Sequence, residues 1–196
     1  MATVSIVPFW ISFLLRGAFF GPNRALEGST QLLALVPGTL GNYIRRAFLR
    51  RVLSHCDQTA VVEFGTIFSQ AGARLDANVY VGPRCHLGLV HLERDVMLAA
   101  GVHVPSGPKT HGTRDTNRAM RDQPGTRTLV TIGEGAWIGS AAVVLAHVGK
   151  HAIVGAGAVV THPIPDYMIA AGVPARVIRQ RGHDEMATEL IAQNSP

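Results

Sequence analysis

An aliphatic side chain recurs at every sixth residue through the second half of the sequence, and few chain geometries satisfy that period. Leu75, Val81 and Leu87 are six apart, and after a five-residue step Leu92, Leu98 and Val104 repeat the spacing. Ile132, Ile138 and Val144 resume it, and after a four-residue correction Val148, Val154 and Val160 continue it. A helix returns to one face every ~3.6 residues and a strand every second residue, so neither produces a six-residue mark. Three short strands joined by tight turns do, in a triangular coil of ~18 residues with one inward aliphatic per side. Gly82, Gly88, Gly133, Gly139, Gly149 and Gly155 each follow a marked residue. They are expected to supply turn conformations that a Cβ disfavours. Ala142, Ala152 and Ala158 keep the intervening positions small. Backbone hydrogen bonds run between coils, so each coil needs a neighbour. The expected fold class is therefore mainly β, a left-handed parallel β-helix of hexapeptide repeats.

The phase fails in one place. Residues 105–129 carry no hexad and begin Pro105-Ser106-Gly107-Pro108-Lys109-Thr110-His111-Gly112, followed by charged and polar residues. An insertion of this length that leaves a compact coil is usually functional. The expected organisation is an N-terminal apolar and basic helical region at 1–57, the β-helix domain at 58–182 with its inserted loop at 105–129, and a C-terminal tail at 183–196.

The N-terminal region has a different texture. Leu32, Leu33, Leu35, Leu40, Tyr43, Ile44, Phe48, Leu49, Val52 and Leu53 recur at mixed three- and four-residue steps, interrupted by Pro37 and Gly38. Residues 40–54 read as a basic amphipathic helix bearing Arg45, Arg46, Arg50 and Arg51. Such a helix either packs on the end of the β-helix or lies on an anionic membrane face, where each basic side chain contributes ~1 kcal/mol. The apolar run at 4–15 is broken by Pro8 and ended by Arg16. It is shorter than the ~20 residues a membrane span needs, and it lacks the basic segment that opens a secretory signal.

The formal net charge is +5. A second basic group, Arg176, Arg179 and Arg181, lies near the end of the repeats. Neither group is interleaved with aromatic stacking residues, so no nucleic-acid partner is expected. Cys56 and Cys85 are the only cysteines, which fits a reducing compartment and structural rather than nucleophilic thiols. The expected location is cytoplasmic, with peripheral contact at the inner membrane face through residues 1–57.

Three segments carry a resemblance to a known family. They are Ile132-Gly133-Glu134-Gly135-Ala136-Trp137-Ile138-Gly139-Ser140, Val154-Gly155-Ala156-Gly157-Ala158-Val159-Val160-Thr161, and Ala170-Ala171-Gly172-Val173-Pro174-Ala175-Arg176-Val177-Ile178-Arg179. They resemble the central coil, donor coil and closing motif of the hexapeptide-repeat acyltransferases. Sugar O-acetyltransferases of the galactoside, maltose and nodulation-factor type look nearest, and polysaccharide-acetylating enzymes look similar. The resemblance covers about residues 60–182 and is most specific over 131–179.

The resemblance implies an O-acetyltransferase that moves an acetyl group from acetyl-CoA to a hydroxyl of a sugar or cell-envelope polysaccharide precursor. It implies a homotrimer whose cleft lies between two β-helices, with the loop of one subunit completing it. A hydroxyl needs a base to become nucleophilic, and histidine titrates near neutrality. The resemblance places this base in the inserted loop, where His111 is the only histidine. His103 is nearby on a coil, where an ordinary coil-face histidine is expected. Asp115, Asp122, Glu93 and Asp95 are all candidates to orient the base. By resemblance Trp137 flanks the cleft, Ser140, Ala156 and Thr161 line the pantetheine arm, and Arg176 and Arg179 meet nucleotide phosphates through planar guanidinium forks. Position 162 departs from the pattern, with His162 where the family often has lysine.

Two readings of other classes stay open. His86 and His91, five apart, resemble paired zinc ligands of γ-class carbonic anhydrases, which share the β-helix, but a zinc site needs a third ligand and the only upstream histidine is His55. A non-catalytic β-helix scaffold is the other. No metal is expected on the acyltransferase reading.

Overall fold

The computed structural model describes residues 6–182, so the C-terminal tail expected at 183–196 lies outside the described residues. Three helices lead into the coils: α1 (Val7–Phe20), α2 (Pro22–Ala34) and α3 (Gly38–Val52). Pro8 does not break the apolar run. It sits in the first turn of α1, where its missing N–H has no helical partner to lose, and the helix continues through Arg16 to Phe20. Arg16 is accommodated by folding inward, with Nη2 donating to Ser29 Oγ at 2.7 Å.

The helical region packs on the end of the β-helix through α2 and α3. Phe48 and Leu49 of α3 and Leu26 and Leu33 of α2 join one core with Val62 and Phe68 of the first coil. Thr30 Oγ1 donates to Phe68 O and accepts the Phe68 N–H, both at 3.2 Å. Arg45 is not part of a solvent-facing basic stripe. It is only 2% exposed, and its guanidinium donates to the carbonyls of Val62 (2.8 Å), Leu33 (3.1 Å) and Val36 and to Asn42 Oδ1. These carbonyls end α2 or edge the first coil, and a buried carbonyl without a donor costs ~1–3 kcal/mol. Arg45 is thus the polar pin between helices and coils, while Arg50 and Arg51 remain as the basic last turn of α3.

The coils stack into three parallel faces. The first holds His55–Cys56, Arg74–Leu75, Val90–Leu92 and Val130–Ile132, and single bridges at Val148 and Ile164 extend it. The second holds Val61–Val62, Tyr80–Val81, Met97–Leu98, Trp137–Ile138, Ile153–Val154 and Met168–Ala171. The third holds Ile67–Phe68, His86–Leu87, His103–Val104, Val143–Val144 and Val159–Val160. Register places each hexad residue on its counterpart, as in Leu75 on Leu92, Leu98 on Ile138 and Val144 on Val160. Every hexad aliphatic is at most 2% exposed. Full burial of one such side chain contributes ~1.5–3 kcal/mol, so the inward stack is the main stabilising term. The architecture is the left-handed β-helix expected from the period.

The coils begin earlier than the Leu75 hexad. Cys56, Val62 and Phe68 form an earlier inward set, at 7%, 1% and 0% exposure. A cysteine and a phenylalanine stand in aliphatic slots, and a seven-residue step separates Phe68 from Leu75, which hides the phase. At the other end Ile164 and Ala170 close the stack. Arg176–Gln180 then folds back antiparallel on Met168–Ala171 and covers the edge of the second face.

The hexad glycines have a different cause from the one expected. Left-handed backbone falls mainly elsewhere, at Asn78, Arg84, Asp95, Ala141, His151 and Tyr167 and at glycines such as Gly101 and Gly157. At Gly139 a Cβ would lie 2.5 Å from the backbone nitrogen of Ala156 in the next coil. The small residue there answers close approach of coils rather than an unusual turn.

Candidate active site

The inserted loop leaves the third face after Val104 and returns to the first at Val130. Its root is tied to the coils. Buried Ser106 accepts the Leu89 N–H on Oγ at 2.8 Å, and its carbonyl accepts the Thr128 N–H at 2.8 Å. The two arms meet again where the Thr126 N–H donates to Lys109 O at 2.7 Å. Farther out, the buried Gln123 amide donates to Asp115 O (2.7 Å) and Arg118 O (2.9 Å) and accepts the Asp115 N–H (3.1 Å). A loop otherwise exposed therefore carries its own polar centre. The arms cross so closely that a Cβ on Gly125 would fall 2.0 Å from Thr110 O, beside the backbone of His111.

This framework holds His111 exposed at the boundary of two clefts. One, of about 550 Å³, lies within the loop and is bordered by Arg114, Asp115 and Gln123. The other, of about 380 Å³, lies between loop, third face and α2, and is bordered by Arg24, His86, His103 and Arg127. His103 is not an ordinary coil-face residue. Its ring stacks on His86 with centroids 5.1 Å apart and planes 10° from parallel, in the same cleft as His111. Burial, and after it the neighbouring His86, hold His103 below the ordinary histidine value. The hexad phase carried this signal: both histidines immediately precede an inward leucine or valine, on consecutive coils, and are register partners.

Of the four candidate acids, Asp115 shares a cleft with His111. Its Oδ1 accepts the Asn117 N–H at 2.9 Å. The others are engaged elsewhere. Glu93 Oε2 accepts the Glu134 N–H at 3.0 Å, Asp95 Oδ1 accepts from Asn78 at 3.0 Å, and Asp122 lies 3.8 Å from Arg121.

The paired-zinc geometry does not form. His86 is on the third face and His91 on the first. His91 Nε2 lies 2.9 Å from Asp76 Oδ2, and His55, on the first strand rather than in the helical region, lies 3.9 Å from Asp76 Oδ1. Among the described residues no three His, Cys, Asp or Glu side chains gather as a metal site. Burial pushes the Cys56 and Cys85 thiols up to about 11, so both are neutral at physiological pH and unsuited to attack.

The residues expected to hold the donor lie away from these clefts. Trp137 is 47% exposed on the second face. Ser140 and Ala156 are exposed one coil apart, where Ser140 O accepts the Gly157 N–H at 2.8 Å. Thr161 Oγ1 lies 2.9 Å from His162 Nδ1. Arg176 and Arg179 are exposed on the last strand. None of these six residues borders either His111 cleft. Neither of these clefts at His111 therefore reaches the residues expected to hold the donor.

The stacked-coil β-helix is shared with solved acetyltransferases. Residues 129–162 match the model of the hexapeptide repeat of succinyl-transferase. WbbJ of Escherichia coli (strain K12), provisionally named a lipopolysaccharide-biosynthesis O-acetyl transferase, is 32% identical over 146 residues, 63% of this chain and 74% of that one. The galactoside O-acetyltransferase of the same strain is 29% identical over 172 residues, 81% of this chain and 80% of that one. A solved galactoside acetyltransferase in complex with coenzyme A superposes with a TM-score of 0.65 at 23% identity, covering 83% of each chain. The chain belongs to the hexapeptide-repeat acyltransferase family, and it is an enzyme.

Proposed function

We propose that the protein is an acetyl-CoA-dependent O-acetyltransferase acting on a hydroxyl of a sugar or cell-envelope polysaccharide precursor, with His111 as general base. The observation that carries this is the placement of His111 by a tied, internally bonded loop at the mouth of a cleft on the coils. The imidazole removes the acceptor proton as the hydroxyl oxygen attacks the thioester carbonyl. The tetrahedral intermediate collapses with loss of the CoA thiolate, which takes up that proton. Products are the acetyl ester and free CoA. Trp137, Ser140, Ala156 and Thr161 hold the donor arm, and Arg176 and Arg179 its phosphates.

Because His111 and these residues lie on separate surfaces of one chain, the working cleft forms between subunits of a homotrimer. The names of WbbJ and the galactoside enzyme support the sugar acceptor and the acetyl group. The decisive experiment is His111→Ala assayed with acetyl-CoA and candidate sugars. Transfer is expected to fall ~10²–10⁴-fold with an unchanged melting temperature. Retention of full activity would remove His111 as the base. A scaffold would instead show no acetyl-CoA turnover in the unaltered protein.

A peripheral membrane contact belongs to the same reading, through α1 rather than Arg45. Ile11, Leu14, Leu15, Phe19 and Phe20 are 48–83% exposed, and Arg51 lies 5.4 Å over the Trp10 ring of α1. An apolar helix face bordered by arginines suits an anionic bilayer surface. No helix among the described residues is long and apolar enough to cross a membrane. Cosedimentation with anionic phospholipid vesicles should drop on Leu15→Glu with Phe19→Glu, and unchanged binding would end this part of the proposal.

A further inference from the structure

The cleft that joins His111 to the third face has an unusual charge balance. Arg24, His86, His103, His111 and Arg127 border it, against the single carboxylate of Glu27. Arg24 comes from the first turn of α2 and Arg127 from the returning arm of the loop, so the fold sets two arginines distant in sequence on one cleft. Among the described residues no carboxylate lies within 4.0 Å of either. The first turn of α2 holds no acidic residue, so the partial positive charge of that helix end is unopposed there. Of the two amide side chains on the cleft, Asn23 has its Oδ1 taken by the Ala71 N–H at 2.9 Å, which leaves Gln70 as the amide acceptor.

Sugar hydroxyls in a neutral glycan are usually met by carboxylates and amides, which supply acceptors as well as donors. Arginine supplies donors only, in a planar fork that matches two oxygens of a carboxylate or phosphate. Two arginines border this cleft with neither ion-paired to Glu27, so the cleft favours an anion. We infer that the acceptor carries a fixed negative charge, a carboxylate or phosphate on the sugar, held by Arg24 and Arg127 beside His111. This rests on the reading that the acceptor occupies the His111 cleft. The stacked histidines fit the same arrangement: a bound anion would favour protonation of His103, opposing the burial that holds its pKa below the ordinary histidine value.

The test is a binding titration of the full-length protein at constant ionic strength with three probes: methyl glucoside, glucuronic acid and glucose 1-phosphate. Calorimetry and the histidine ring proton shifts are read together. At least one anionic probe is expected to bind about 10- to 100-fold more tightly than methyl glucoside and to shift the His103 resonance. Arg24→Gln combined with Arg127→Gln should abolish that preference. Whichever anionic probe binds identifies the carboxylate or phosphate class. Equal affinity for all three probes, or a preference that survives the double substitution, overturns the inference. It also falls if the double variant loses CoA affinity as strongly as anion affinity, since the arginines would then serve the donor. Failure of acetyl transfer with anion binding intact would count against the transferase reading alone. Transfer to neutral sugars without anion binding would count against the inference alone.

Discussion

The coils and the inserted loop solve the same problem, ordering backbone that cannot stay unpaired, by opposite means. In the coils each strand is bonded to the coils on either side, and the interior is a column of aliphatic side chains with almost no exposure. In the loop, regular structure is a single short 3₁₀ turn at Met120–Asp122, and nearly every side chain except Ser106 and Gln123 faces solvent. Order there comes from Ser106 at the root and from the Gln123 amide in the middle. The coils are thereby rigid and chemically bland, while the loop presents reactive groups on a few polar ties. Weak local stability at the site and strong stability beneath it follow from that division.

Substitutions can break or sharpen the contrast. The largest stability effect is expected at Gly139→Ala, whose new Cβ would lie 2.5 Å from the Ala156 nitrogen. Denaturant unfolding should show a loss of about 3 kcal/mol, because neither coil can move without its neighbours. Gly157→Ala, at φ +68° but facing open space, should cost about 1 kcal/mol. Equal losses at the two positions would sink the close-approach argument.

A second effect lies inside the coils. Cys56 and Cys85 rise from an ordinary value near 9 to about 11 in the folded chain, chiefly through burial. A thiol that keeps its proton longer in the native state contributes stability that is complete below about pH 9. That contribution is lost as pH rises through about 11. Roughly 3 kcal/mol per thiol is at stake. The Cys56→Ala/Cys85→Ala variant should therefore lose stability less steeply between pH 9 and 11, and parallel slopes would refute the assignment.

The smallest effect on global stability belongs to the loop. Gln123→Leu removes the amide that ties Asp115 and Arg118. The unfolding midpoint should move little, whereas proteolysis within 105–129 should accelerate and acetyl transfer fall severalfold. Unaltered cleavage and turnover would mean the loop is ordered by something other than Gln123.

Legibility in the sequence follows the same division. The inward aliphatics were readable from their period because one residue type at one spacing maps onto one side of every coil. The first coil escaped, since Cys56 and Phe68 occupy its aliphatic slots and a seven-residue step follows. The glycines were legible as a pattern but not as a cause, because proximity between coils is not a local property. Arg45 read as part of a basic helix face with Arg46, Arg50 and Arg51, yet it turns inward onto three carbonyls. The charge of a helix residue says nothing of the unpaired acceptors that packing sets beneath it.

The sequence by itself determined the β-helix, its interruption and the candidacy of His111, because period and phase are written in consecutive residues. Only the tertiary structure decided which groups surround that histidine. Arg24, His86, His103 and Arg127 belong to a helix, two coils and the returning loop arm, and they meet because coils stack in register and the loop folds back over them. Only the fold, likewise, separated His86 from His91, since a chain that turns a corner between two residues sends neighbours in sequence to different faces.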